Sequence, residues 1–180
     1  MVEAYKTMPF CCGGVWPHGI PIGNSWASIG AIFALIHKYR INTFVEIGID
    51  QGGFSYLLST REKAVPGFRY YGIEKYPEKI HEILLKSEFY KNIFIGDFFE
   101  EPGKEWMRKI ASEASGPIMV FCDGGNKPAE VLFVSETIKS GYILAHDWGK
   151  EFYETDQPQN TTRIMDDWLP GTTLYLMKKG

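Results

Sequence analysis

A short glycine-rich stretch carries the first residues whose types and spacing could bind a ligand. It reads Glu46-Ile47-Gly48-Ile49-Asp50-Gln51-Gly52-Gly53. The glycines let the backbone approach a ligand closely, and the stretch opens a predicted helix whose first N–H groups point toward that ligand. A dinucleotide fingerprint needs a glycine where Asp50 stands, and a carboxylate there would repel a pyrophosphate. The pattern therefore indicates a nucleotide-like ligand that lacks a pyrophosphate.

Two more acids follow the next predicted strands. Glu74 ends the second strand, where a carboxylate can accept hydrogen bonds from both ribose hydroxyls, as it also does in NAD sites. Asp97 follows the third strand, where it can meet an adenine amino group. S-adenosylmethionine has no phosphate and carries a cationic sulfonium and an amino group, so acids attract it. The charges therefore favour this cofactor, and its expected binding residues are Glu46, Gly48, Gln51, Gly52, Gly53, Glu74, Asp97 and Asp123.

The elements that must position these residues alternate between strands and helices. Apolar runs predict strands over residues 43–48, 70–73, 92–96, 118–122, 142–145 and 172–177. Helical spacing and capping residues predict helices over residues 26–39, 54–59, from 77 onward, 106–114, 127–140 and 162–169. Five alternations predict an α/β fold with a doubly wound, mostly parallel, Rossmann-like sheet of six or seven strands. Ligands bind such sheets beyond the carboxyl ends of the strands, where the acids listed above lie.

The chain divides into an arm and one domain. Residues 1–24 are rich in glycine and proline without periodicity and are expected to form an irregular arm that serves as a lid. Residues 25–180 are expected to form the single domain. No acceptor domain is visible, so the arm, the segment 149–163 or a second copy in a homo-oligomer is expected to close the pocket. Cys11, Cys12 and His18 supply three metal ligands at an unfamiliar spacing, which favours ordinary loop residues.

Composition narrows the classes of partner. The 180 residues are 44% hydrophobic and 23% charged, as in an ordinary globular domain. The net charge is −3 and no basic stripe occurs, which argues against nucleic acid and fits a small-molecule substrate. No apolar run of membrane-spanning length and no leader peptide is visible, so neither a membrane partner nor secretion is expected and the predicted location is cytoplasmic.

These motifs together resemble class I S-adenosylmethionine-dependent methyltransferases. The similarity covers roughly residues 43–148 and rests on the stretch 45–53, Glu74, Asp97, the run Phe121-Cys122-Asp123-Gly124-Gly125 and the run Ala145-His146-Asp147. Within that superfamily the chain looks most similar to the branch of cephalosporin hydroxylase-like and rhamnosyl O-methyltransferase proteins. It is more distantly similar to catechol O-methyltransferases. The resemblance implies metal-assisted methylation of a hydroxyl of a sugar or another small molecule.

The resemblance also implies roles for residues after the fourth and fifth strands. Asp123, His146 and Asp147 match the positions that hold a divalent metal, magnesium or manganese. Relatives usually have an oxygen ligand where His146 stands, and an imidazole shifts the preference toward manganese or a later transition metal. Catechol-type relatives place a lysine base three residues after the first ligand, whereas here Asn126 is third and Lys127 is fourth. The implied catalytic residues are Asp123, Lys127, His146 and Asp147.

Two other functions remain open at the level of sequence. An NAD-dependent oxidoreductase would share the sheet and the ribose-binding acid, but it would need the glycine that Asp50 replaces. A protein that binds a nucleotide cofactor without chemistry of its own would keep residues 46–53 and lack an acceptor site. The fold alone does not separate these functions.

Overall fold

The computed structural model describes residues 14–15 and 19–180 of the chain. Its strands are β1 (Gly14–Val15), β2 (Pro21–Ile22), β3 (Thr43–Ile47), β4 (Arg69–Glu74), β5 (Ile93–Ile95), β6 (Ile118–Cys122), β7 (Gly141–Ala145), β8 (Thr161–Arg163) and β9 (Tyr175–Lys179). Its α-helices are α1 (Trp26–Lys38), α2 (Gly53–Ala64), α3 (Glu82–Leu85), α4 (Glu101–Glu113) and α5 (Lys127–Thr137). Among the described residues no helix is both long and apolar enough to cross a membrane.

Seven of the strands form one sheet in the order β5-β4-β3-β6-β7-β9-β8. The five strands from β5 to β7 run parallel, β9 is antiparallel to β7, and β8 is antiparallel to β9. The chain moves from β3 outward to β5 and then returns to β6 on the other side of β3. This reversal makes the gap between β3 and β6 the topological switch point. The predicted doubly wound sheet in a single domain is confirmed.

Helices cover both faces of the sheet because its central strands are apolar on both sides. Phe44 of β3 and Phe121 of β6 pack with α1 and α2 on one face. Val45 and Val120, their neighbours along the strands, pack with α4 and α5 on the other. Cys122 belongs to this second layer and is fully buried. Strands buried on both faces explain the continuous apolar run at residues 118–122.

Two predicted helices are wrong. The helix expected from Pro77 is split into a 3-10 turn (Pro77–Lys79) and the short α3. His81 interrupts it, because its backbone is extended, its N–H donates to Gln51 O, and its Nδ1 accepts from Ile83 N. The helix expected over residues 162–169 does not form: its first two residues belong to β8, whose backbone pairs with β9 from Thr161 opposite Lys179, and residues 164–169 are coil and turn. Hydrogen bonds to a strand distant in the sequence therefore determine the secondary structure of this segment, which lies at an edge of the sheet.

The predicted arm falls only partly within the described residues. Residues 19–24 are described, and they include β2, which pairs with β1 in a short antiparallel hairpin. The side chains of Ile20 and Ile22 are buried. Cys11, Cys12 and His18 lie outside the described residues. Of the two capping residues that the sequence offers before α1, Asn24 and Ser25, Ser25 is the N-cap, because its Oγ accepts from Ser28 N at 3.1 Å.

Candidate cofactor and metal site

A cavity of about 460 Å³ opens at the carboxyl ends of the parallel strands. The turns after β3, β4, β5 and β6 line it, together with Pro21, Gly23 and Asn24 from the N-terminal side. Strand register places these turns level with one another, since Ile47 lies opposite Cys122, and Cys122 lies opposite Ala145. The cavity therefore occupies the switch point, where doubly wound sheets bind their ligands. Its acidic lining residues are Glu46, Asp50, Glu74, Asp97, Asp123 and Glu130.

The glycine turn is shaped by contacts within the protein as well as by access to the cavity. Gly48 has φ +87°, and a Cβ there would lie 2.6 Å from Asp123 O. A Cβ on Gly53 would lie 2.3 Å from Pro21 O, so this glycine admits the N-terminal hairpin. Gly52 caps α2 with φ +86°. Gly48 and Gly53 line the cavity, whereas Gln51 is exposed and, like Gly52, lies outside its lining.

Glu46 is a buried carboxylate at the floor of the cavity. Its Oε2 accepts hydrogen bonds of 2.6 Å from the hydroxyls of Ser55 and Tyr70. Burial raises the pKa of Glu46 to about 8, although the two hydroxyls favour its charged form. The Tyr70 ring reaches Glu46 because Gly72 leaves room, since a Cβ there would lie 2.5 Å from the phenol oxygen. Glu46 is thus held in one orientation beside the predicted cofactor.

Glu74 joins the glycine turn to the end of β4. Its Oε2 accepts from Ile49 N at 3.0 Å and from Asp50 N at 2.9 Å, and its Oε1 accepts from Tyr76 N at 2.9 Å. Each carboxylate oxygen has two lone pairs, so the two N–H groups occupy both lone pairs of Oε2 and only Oε1 keeps capacity for one ribose hydroxyl. Glu74 therefore shapes the turn that it was predicted to share with a ligand.

Asp97 lies at the far end of the cavity, beside Phe98. Its Oδ1 accepts from Phe99 N at 2.9 Å, and its Oδ2 forms an ion pair of 2.8 Å with Lys75. The Lys75 ammonium, followed by the Phe99 N–H, lowers the pKa of Asp97, so this carboxylate is ionised at neutral pH. The sequence did not single out Lys75, which lines the cavity next to Glu74.

Asp123, His146 and Asp147 converge as the sequence predicted. Each offers one ligand atom, and these atoms lie within 4.8 Å of one another. Asp123 Oδ1 lies 2.8 Å from His146 Nδ1, which lies 3.6 Å from Asp147 Oδ2. Burial alone would lower the pKa of His146, but the hydrogen bond and charge of Asp123, with the charge of Asp147, outweigh it and raise the pKa. The group combines two carboxylates with one imidazole in a partly buried setting.

Lys127 reaches the same group from the first residue of α5. Its Nζ lies 2.6 Å from Glu151 Oε2, 3.4 Å from Asp147 Oδ2 and 3.8 Å from Asp123 Oδ1. Burial alone would lower the pKa of Lys127, but the hydrogen bond to Glu151 and the surrounding acids outweigh it and raise the pKa. The side chain is an ammonium here, so its expected role as a base requires it to lose this proton first.

Two residues that the sequence did not assign to the site complete its wall. Asn24 Nδ2 donates to Asp123 Oδ2 at 3.3 Å, and its Oδ1 is buried without a partner among the described residues. Glu130 accepts from Gly124 N and Asn126 N at 3.2 Å each and so holds the turn after β6. Burial raises the pKa of Glu130 to about 7. The sequence could have indicated Glu130, because it is an acid in the first turn of α5. Nothing in the residues around Asn24 indicates its contact with Asp123.

No protein-family model matches the chain, and no curated protein sequence matches it. Solved structures do resemble it. A structure of CmcI with Mg and SAM is 17% identical, matches 82% of this chain and 65% of its own, and has a TM-score of 0.58. The O-methyltransferase TomG from Streptomyces achromogenes, involved in tomaymycin synthesis and solved with SAM, is 14% identical (90% of this chain, 83% of its own, TM-score 0.56). An O-methyltransferase from Bacillus cereus in complex with SAH is 13% identical (98% and 86%, TM-score 0.54).

The first two matched structures, both of CmcI, are longer than this chain, which spans 65% of their length. TM-scores of 0.54 to 0.58 at identities of 13 to 17% show a shared fold. The sheet architecture that the sequence resemblance implied is therefore confirmed by structures of O-methyltransferases solved with SAM or SAH.

Proposed function

We propose that the chain is an S-adenosylmethionine-dependent O-methyltransferase that acts on a hydroxyl of a sugar or another small molecule. The observation that carries the proposal is the cavity at the switch point, which is lined at the carboxyl ends of four adjacent parallel strands by Glu46, Glu74, Asp97 and Asp123. Such a lining attracts a cationic, phosphate-free nucleoside and repels a pyrophosphate. The shared fold with an O-methyltransferase solved with SAM and another solved with SAH supports the same ligand.

Each part of the cofactor has a proposed partner along the cavity. Glu46 and the turn of Gly48 and Gly53 border the amino-acid end, where the ammonium group would lower the raised pKa of Glu46 and draw it into its charged form. Glu74 accepts from a ribose hydroxyl through Oε1, the oxygen with a free lone pair. Asp97 accepts from the adenine amino group, and Phe98, beside it in the lining, contacts the ring. The cofactor would thus lie across the ends of β3, β4 and β5.

The residues after β6 and β7 fit a divalent metal. Two carboxylates and one imidazole form a donor set that accepts magnesium but favours manganese or a later transition metal over it. Asp123, His146 and Asp147 would hold the ion, and His146 would exchange its hydrogen bond with Asp123 for that contact. When bound, S-adenosylmethionine supplies an electrophilic methyl group, and the metal supplies charge that lowers the proton affinity of the acceptor hydroxyl. The protein orients the hydroxyl toward the methyl carbon.

Binding calorimetry tests the cofactor, with S-adenosylmethionine, S-adenosylhomocysteine and NAD, each with and without Mg²⁺ or Mn²⁺. We expect both adenosyl ligands to bind and NAD to fail. Binding of NAD alone would instead support the oxidoreductase. Transfer of a labelled methyl group to a panel of hydroxylated small molecules then tests catalysis. If the cofactor binds but no acceptor in a broad panel is methylated, the non-catalytic binding protein becomes the better account.

A further inference from the structure

The feature that the proposed chemistry leaves unexplained is the buried ammonium of Lys127. Its side chain is only 4% exposed, yet it carries a charge beside the predicted metal ligands. Besides its three carboxylate neighbours, its Nζ donates to Gly124 O at 3.0 Å. A buried ammonium is costly unless hydrogen-bonded acids surround it, and here they do. Lys127 therefore already neutralises much of the negative charge that would attract a metal.

The ammonium and a divalent ion need the same oxygens. Asp147 Oδ2 and Asp123 Oδ1 both lie within 4 Å of Lys127 Nζ, and both carboxylates belong to the group that could hold a metal. A cation bonded to either oxygen would lie within a few ångströms of the ammonium. Like charges at that distance repel strongly in a partly buried setting.

We propose that the ammonium of Lys127 competes with a divalent cation for Asp123 and Asp147, so that the metal binds only when Lys127 withdraws toward Glu151. The proposal rests on the metal-assisted function proposed above, and it adds a residue that sets the metal affinity of the site. Lys127 then has a role that does not require it to act as a base.

Glu151 is suited to receive the ammonium. Its carboxylate has the shortest contact with Lys127 Nζ, 2.6 Å, and it is not among the three candidate metal ligands. Its side chain is 57% exposed and lies in the turn after β7, next to the fully buried Phe152 that anchors this turn. Lys127 can therefore leave the two aspartates and keep a partner at the rim of the site.

The experiment measures Mn²⁺ binding by electron paramagnetic resonance on the full chain at neutral pH. Lys127→Met, which keeps the aliphatic stem and removes the charge, should bind Mn²⁺ at least tenfold more tightly than the wild type. Lys127→Arg, which keeps the charge, should stay within about threefold of the wild type, since the repulsion persists. Adding Asp123→Asn to Lys127→Met should abolish the gain, which locates the ion at this group. Mn²⁺ affinity of Lys127→Met equal to or below that of the wild type would overturn the proposal.

A second variant keeps the test decisive if Lys127→Met folds poorly. Glu151→Gln removes the carboxylate that would hold the Lys127 ammonium away from Asp123 and Asp147. This substitution should therefore weaken Mn²⁺ binding at least threefold when Lys127 is present. Where Lys127→Met folds, Glu151→Gln should have little effect in that background. No effect in the wild type, or an equal loss in both backgrounds, would show that Glu151 does not act through Lys127. Calorimetry with S-adenosylhomocysteine in chelator checks the proposed function separately, because it needs no metal.

Discussion

The carboxylate of Glu46 is held in place by two hydroxyls at the centre of the molecule. Ser55 comes from the first turn of α2, and Tyr70 comes from the neighbouring strand β4. Both donate to the same oxygen, Oε2, so a neutral carboxyl can still accept from them. Because the pKa is about 8 in the folded chain and 4.5 in the unfolded one, folding takes up a proton between these values.

Glu46→Gln should therefore change how stability depends on pH. A raised folded pKa gives stability that is complete below the unfolded pKa and is lost as pH rises through the folded pKa. The wild type should lose stability relative to Glu46→Gln between about pH 5 and 8, by up to about 1.4 kcal/mol per pH unit. Denaturant unfolding at several pH values measures this. The exposed Glu136→Gln is the control, and a pH-independent difference for Glu46→Gln would refute the raised pKa.

Glu74 combines a structural and a proposed ligand-binding role in one side chain. Replacing Glu74 by Ala should weaken S-adenosylhomocysteine binding by about 1.5 to 3 kcal/mol, since a hydrogen bond from a ribose hydroxyl to a charged group is lost. The turn at Ile49 and Asp50 also loses its acceptor, so unfolding must be measured alongside calorimetry. Glu78→Ala, exposed and nearby in the chain, should bind normally. Unchanged affinity in Glu74→Ala would remove this residue from the site.

At the scale of elements, the site depends on how closely the turns after β3 and β6 approach. Asp123 N donates to Ile47 O, and Gly48 N donates to Ile73 O, so the sheet hydrogen bonds continue into both turns. Gly48 then passes against the backbone of Asp123 and Gly124, where a Cβ would come within 2.8 Å of both. A side chain at Gly48 would separate the cofactor turn from the metal group.

Gly48→Ala should therefore destabilise the chain and weaken cofactor binding together. The clash with backbone and the positive φ both oppose alanine, and a cost of about 1 to 3 kcal/mol in unfolding is expected. Gly125→Ala is the matched control in the same cavity wall, because a Cβ there meets nothing within 4 Å. Thermal unfolding and calorimetry on both variants decide the matter. Equal behaviour of the two variants would mean that the turns can move apart cheaply.

The sequence predicted correctly those elements whose structure is determined by residues next to one another in the chain. The run 118–122 and the capped start of α1 were read correctly, because burial on both faces and the Ser25 cap are written in adjacent residues. The segment at β8 was misread because its partner, β9, lies more than ten residues away. The break near Pro77 depends on a hydrogen bond between His81 and the glycine turn, which no periodicity reveals.

At the scale of the whole molecule, the residues of the site also fall into those that local patterns predict and those that they do not. Acids at strand ends were predictable, since the topology of a parallel sheet brings strand ends to one edge. Asn24, Tyr70 and Glu151 were not, because each meets its partner only after the chain has folded. Asn24 also connects the N-terminal segment to Asp123, so the segment before α1 contributes directly to the cavity wall.

Two truncations test whether the N-terminal segment covers the acceptor as a lid or forms part of the cavity wall. Removing residues 1–18 should impair methyl transfer while leaving S-adenosylhomocysteine affinity nearly intact, if these residues cover the acceptor as proposed. Removing residues 1–24 should also lower stability and affinity, because the buried Ile20 and Ile22 and the contact of Asn24 are lost. Calorimetry, thermal unfolding and turnover are compared with the full chain. Normal turnover after removal of residues 1–18 would make those residues a passive extension.

The thiol of Cys122 lies in the central strand of the sheet, one residue before Asp123, and is completely enclosed. Burial raises its pKa well above the ordinary range, so alkylation needs both exposure and ionisation, and both require β6 to leave the sheet. With Cys11 and Cys12 replaced by serine, the rate of alkylation in native buffer would report how often the sheet opens at its centre. A ligand that binds only the closed sheet should slow that reaction in proportion to its occupancy. Affinity for any candidate cofactor, acceptor or metal is then readable from a single covalent label, before a reaction has been found.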